Sequence, residues 1–98
     1  MEPRILCDDG IVIQLVGEDN RALVTFHGNG AARFWCDTVD LLTVLEGAPL
    51  QLASFEGYCK FSKHGDAVDL EFKLTDHPKG KCSIPLKEFS EALREINP

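Results

Sequence analysis

The sequence predicts an α+β fold: one antiparallel β-sheet of about six to seven strands, built as a meander plus a hairpin, with two α-helices packed on one face. Three observations carry this. Apolar and polar residues alternate with a period of two along most of the chain, as in "RALVTFH" (21–27) and "AVDLEFKL" (67–74). Short turn signals separate these runs, and parallel neighbours would need a crossover of a dozen or more residues. The period changes to that of a helix twice, over 38–46 and 85–96.

From the N-terminus, "RILC", "DDG" and "IVIQLV" read as strand, turn and strand, with Asp9-Gly10 supplying the positive φ a tight hairpin needs. "GEDN" (17–20) is the next turn. "RALVTFH" puts Ala22, Val24 and Phe26 on one face, "GNG" (28–30) turns again, and "AARFW" is the fourth strand. In "CDTVDLLTVLEG", Thr38, Leu41, Leu42 and Leu45 fall at i, i+3, i+4 and i+7. Asp37 suits the N-cap, Asp40 three residues on resembles a capping box, Gly47 suits the C′ position, and Pro49 bars continuation.

"PLQLASFEGYCKFSK" returns to alternation. Leu50 and Leu52 share one parity, whereas Cys59 and Phe61 take the other, so a bulge or turn is expected near Glu56-Gly57. In "AVDLEFKL", Val68, Leu70, Phe72 and Leu74 point inward. "TDHPKGK" turns, Cys82 and Ile84 mark a short strand, and "PLKEFSEALREI" is a terminal helix with Leu86, Phe89, Leu93 and Ile96 on one face.

Ninety-eight residues, 44% hydrophobic and 27% charged, make one soluble domain over 1–98 without linkers. No apolar run is long enough for a membrane span, and "MEPRILCDDG" lacks the apolar core of a secretory signal, so cytoplasmic residence is expected. Net charge is −6. Residues 1–49 hold three basic and eight acidic side chains, against seven and eight in 50–98. Nucleic-acid binding needs cations to replace phosphate counterions, so no nucleic acid is expected. An acidic N-terminal half favours a basic protein partner, although it also serves plain solubility.

Cys7, Cys36, Cys59 and Cys82 contain no C-x-x-C pair, and reduced buried thiols are expected in a chain without an export signal. The equal 23-residue steps from Cys36 to Cys59 to Cys82 are no repeat, because the residues following each cysteine differ. "YCKFSKHGDAVDLEF" (58–72) comes closest to a catalytic or metal pattern. Its "KHGD" lies where a hairpin reverses, and no pair has zinc-ligand spacing. Convergence of Cys59, His64, His77 and Cys82 through the fold stays open. Cys36 precedes a helix, but Asp37 opposes its ionisation and Trp35 points to a packed setting. His27 reads as a strand-end residue. No phosphate loop and no acid/base pair occur, so neither an enzyme nor a cofactor is expected.

Candidate partner-binding residues are Asp8, Asp9, Glu18 and Asp19 in the first turns, Asp37 and Asp40 at the first helix, and Trp35 as an aromatic anchor that also fits a core. The plan from "ARFWCDTVDLLTVLEGAPLQLASFEGYCKFSKHGDAVDLEFKL" to "CSIPLKEFSEALREI" runs strand, short helix ending in Leu-x-Gly, "S-x-E-G" strand, hairpin with "HG" at its tip, strand, short strand and helix. It resembles the small bacterial WapI-like immunity proteins, which protect a cell from the toxin tip of a polymorphic secreted toxin. The likeness covers Ala32 to Ile96 and lies in element order and a few residues. It implies no catalysis, cytoplasmic residence and a protein partner, and carries over no functional residues. Two other readings stand beside it: an acidic inhibitor that mimics nucleic acid to block a nuclease, and a homodimeric module joined through a sheet edge.

Overall fold

The computed structural model describes residues 3–6, 11–28, 31–75 and 79–96. Eight strands and two helices follow in the order β1 (Arg4–Leu6), β2 (Val12–Glu18), β3 (Arg21–His27), β4 (Ala31–Asp37), α1 (Thr38–Val44), β5 (Leu50–Ser54), β6 (Gly57–His64), β7 (Ala67–Leu74), β8 (Gly80–Pro85) and α2 (Leu86–Ile96). All strand pairs are antiparallel, and the fold is α+β.

The expected single sheet is corrected to two four-stranded sheets, ordered β1-β2-β3-β4 and β5-β6-β7-β8. The reason lies between β4 and β5. Hairpin turns force pairing only between the strands they join, and α1 with the Gly47–Pro49 stretch separates these two. Each sheet has one apolar face, and the two faces share one core containing Ile13, Leu15, Val24, Phe26 and Phe34 from the first sheet and Phe61, Leu70, Phe72 and Ile84 from the second. The sheets thus cover each other, and the helices do not share one face. α1 touches β4 but also β5 and β6 of the second sheet, while α2 touches β7 and β8 but also β2 of the first.

This exchange makes the chain a tandem of two ββββα units. Ala22, Val24 and Phe26 of β3 correspond to Val68, Leu70 and Phe72 of β7, all buried. Two-residue turns precede both strands, Asp19-Asn20 and Gly65-Asp66. Each turn accepts an equivalent hydrogen bond from the first residue of its unit's helix: Thr38 N–H to Asn20 O at 2.9 Å, and Leu86 N–H to Asp66 O at 2.8 Å. Buried Leu41 and Val44 of α1 match buried Phe89 and Ala92 of α2.

Two close approaches fix the packing. The end of α2 lies so near Gly17 on β2 that a Cβ there would collide with the Ile96 carbonyl. The parity change foreseen near Glu56-Gly57 is the β5–β6 turn. There Gly57 takes φ +131° against the Lys73 carbonyl, a conformation and a space that only glycine fits. Glu56 O accepts from Thr75 N–H at 3.0 Å, tying the turn to the end of β7.

Candidate functional site

The outer faces of the two sheets differ in kind. On the second sheet, Lys60 lies opposite Glu71, and Glu71 opposite Lys81, whose Nζ is 3.7 Å from the Glu71 carboxylate. That is a solvated lattice of charges. On the first sheet, cross-strand register builds rows: Arg4, Gln14, Thr25 and Arg33; then Val16, Leu23 and Trp35; then Glu18, Arg21 and Asp37. α2 meets β2 at Gly17, which has the inward parity of Ile13 and Leu15, so that contact lies on the other side of the sheet from these rows.

Trp35 stands on the outer face at 47% exposure, because Ala32, Phe34 and Cys36 take the inward positions of β4. The core reading of Trp35 is thereby corrected. Its ring carries the Arg21 guanidinium, with the guanidinium carbon 5.0 Å from the ring centroid, an arrangement that favours a cation through the ring quadrupole.

The structure brings four of the expected acidic residues to one corner. Glu18 and Asp37 flank Arg21 in register, Asp19 is in the adjoining turn, and Asp40 lies in the first turn of α1. Asp19 and Asn20 adopt left-handed φ values of 48° and 69°, a conformation that short polar side chains tolerate. Asp37 occupies the N-cap position of α1 with extended backbone, but its side chain makes no capping bond. The capping box expected from Asp37 and Asp40 is not formed in that respect. Asp8 and Asp9 lie outside the described residues.

A groove of ≈ 330 Å³ opens at this corner, lined by Asp19, Arg21, Asp37 and Thr38 with Val39 and Leu42 from α1. Val39 is 59% exposed. The second unit has a groove at the equivalent place, between the Asp66 turn and the start of α2, but Lys87 and Ser90 stand where Val39 and Leu42 do in the first, and Arg94 joins them. Sequence reading missed Val39, and placed Leu42 on the apolar stripe of the helix rather than at a partner site. Val39 lies off the stripe of Thr38, Leu41, Leu42 and Leu45, and that was the available signal.

The described thiols point inward from the strands, and Cys36 does so directly behind this corner. Cys36, Cys59 and Cys82 are buried thiols that form no disulfide. Burial, then the charges of Asp40 and Asp37, pushes the Cys36 thiol up to about 11 despite opposition from Arg21. Burial and proximity to Cys36 push Cys59 up to about 12, against a lowering backbone hydrogen bond at Leu52. Such thiols stay protonated and weakly nucleophilic near neutrality. Cys59 faces the core while His64 is exposed at the end of β6. Among the described residues no three potential ligands gather for a metal ion, and His77 lies outside them. His27 Nε2–H donates to Gln14 Oε1 at 2.9 Å, linking β3 to β2 on the outer face.

No helix among the described residues is long and apolar enough to cross a membrane. Comparison with protein-family models, curated proteins and solved structures gives no match.

Proposed function

We propose that the chain is a non-catalytic, cytoplasmic protein-binding domain that receives a basic partner in the groove between the Asp19-Asn20 turn and α1. The observation that carries this is the contrast between the two equivalent grooves. In the first, exposed Val39 and half-buried Leu42 form an apolar patch beside Asp19 and Asp37, with Glu18 and Asp40 at the same corner. In the second, Lys87 and Ser90 take those two positions, with Asp66, Glu91 and Arg94 around them. An apolar centre with a charged rim is the anatomy of a protein interface, and a negative rim steers a positive partner.

Neutralisation of a toxin, as in the immunity proteins this chain resembles, fits such a surface. The nucleic-acid-mimic reading is less well supported, because Arg21 stands within the carboxylates and breaks their line. The test places a photo-crosslinking amino acid at position 39 and, separately, at the equivalent position 87, in the host cell. Capture of one basic protein from position 39 and none from 87 is the expected result. Equal capture from both positions, or none from either, overturns the proposal.

A further inference from the structure

The outer face of the first sheet has a pattern that the groove does not explain. Along β4 the outward residues run Arg33, Trp35, Asp37: basic, apolar, acidic. The rows extend the pattern in part: Arg33 shares its row with Arg4, Trp35 with Leu23 and Val16, and Asp37 with Glu18, while β3 places Arg21 between the two carboxylates. Three of the four arginines in the chain lie on this face. The three rows carry three arginines against two carboxylates, in a chain whose net charge is −6. The acidic excess of the chain therefore lies off these rows.

We infer that the outer face of the first sheet binds a second copy of the chain, about a two-fold axis running along the Val16, Leu23 and Trp35 row. The inference builds on the protein-binding reading and adds a second surface to it. A two-fold contact requires that a residue and its partner exchange roles between copies. Rotation about the apolar row meets that requirement. It places Trp35 against its symmetry mate, Arg33 over Asp37 of the other copy and Asp37 over Arg33, with Arg4 moved toward the Glu18 side. Arginine and tryptophan are the residues that dominate such contacts.

Pairing through the β4 edge is a poorer route, because the outward Arg33 N–H is already taken by Glu56 Oε1 at 3.2 Å. The Arg33 side chain has no ion-pair partner among the described residues. The Asp37 side chain makes no capping bond to α1, so both can be exchanged without removing an internal contact. Val39, Leu42, Asp19 and Asp40 lie beyond these rows, whereas Arg21 and Asp37 line the groove as well, so the two surfaces share that row.

The test is a charge swap, read by sedimentation velocity and light scattering on the purified chain up to about 100 μM, a range that detects micromolar association. The wild type should show twice the 10.9 kDa chain mass. Arg33→Asp and Asp37→Arg should each weaken the dimer about ten-fold or more, since each sets like charges opposite one another. The double variant should recover most of the wild-type affinity, and Lys60→Asp on the second sheet should leave it unchanged. Far-UV circular dichroism of each single variant separates lost pairing from lost folding. A folded wild type that is monomeric throughout overturns the inference, as does a dimer that the single swaps do not weaken or the double swap does not restore. If the chain is monomeric while position 39 still captures a basic protein, the dimer is refuted and the binding groove stands.

Discussion

Phe26 and Phe72 meet with ring centroids 5.1 Å apart, across two different sheets and at equivalent places in the two ββββα units. Each is the third inward residue of the third strand of its sheet, and both are fully buried. Phe34 packs edge-on to Phe26 at 5.7 Å, extending the contact to β4. The two halves of the chain therefore share one core at their centre.

Truncating either ring should be costly and the two losses should not add. Phe26→Ala and Phe72→Ala should each lose about 3–5 kcal/mol, a large share of a small domain's stability. A double-mutant cycle in urea should show a coupling of about 0.5–1.5 kcal/mol, as expected for an aromatic pair in contact. Simple additivity would mean that the sheets do not meet at these rings.

Backbone approach gives a second prediction. Gly57→Ala must both hold a positive φ and displace the Lys73 carbonyl, whereas Gly47 has φ +99° with open space around it. The first substitution should cost more than the second by about 2 kcal/mol. Gly17→Ala should instead push the end of α2 off β2, seen as faster amide exchange in the last turn of that helix.

Much of this architecture was legible locally. Parity fixed the inward faces of β3 and β7, and the Thr38, Leu41, Leu42, Leu45 stripe with Gly47 and Pro49 placed α1 to within two residues at its end. The division into two sheets was not legible, because it depends on β4 and β5 failing to pair, a non-local event. The duplication was hidden because the units share burial rather than residue identity: Thr38 of α1 corresponds to Leu86 of α2, and Val39 to Lys87. Trp35 was legible in principle. In "AARFWCD", the inward set Ala32, Phe34 and Cys36 leaves it outside, and only its size and apolarity argued for the core. The corner of Glu18, Asp19, Asp37 and Asp40 needed the β2–β3–β4 register, which sets Arg21 between two carboxylates.

Alkaline pH should destabilise the fold through the buried thiols. Cys36 and Cys59 ionise in the folded chain at about 11 and about 12, above the ordinary 9.0. Between these values the unfolded chain has lost protons that the native one retains. Stability is thus fully present below about 9, and falls as pH rises toward 11 and 12. Cys59→Ala should be less stable at neutral pH, by about 1 kcal/mol for the small cavity, yet show a shallower decline in urea midpoint between pH 9 and 11. A decline as steep as the wild type's would assign the alkaline transition to other groups.

The acidic corner should act chiefly on association rate. Asp19 holds a left-handed backbone that asparagine also tolerates, so Asp19→Asn removes charge without strain. Asp40 lies in the first turn of α1, where Asp40→Asn gives up a favourable charge at a helix start, worth only about 0.3–1 kcal/mol. The double variant should therefore fold. Against the basic protein captured at position 39, its association should slow several-fold at low salt, while dissociation changes little. The gap should close as ionic strength rises through about 0.5 M, where the screening length falls to a few ångströms. Glu88→Gln with Glu91→Gln on α2, near the groove that carries Lys87 and Arg94, is the matched control and should leave the rate unchanged. If both pairs slow association equally, long-range net charge is responsible and the corner has no special part. If neither does, contact depends on the apolar patch, and Val39→Asp should then abolish capture that the charge variants spare.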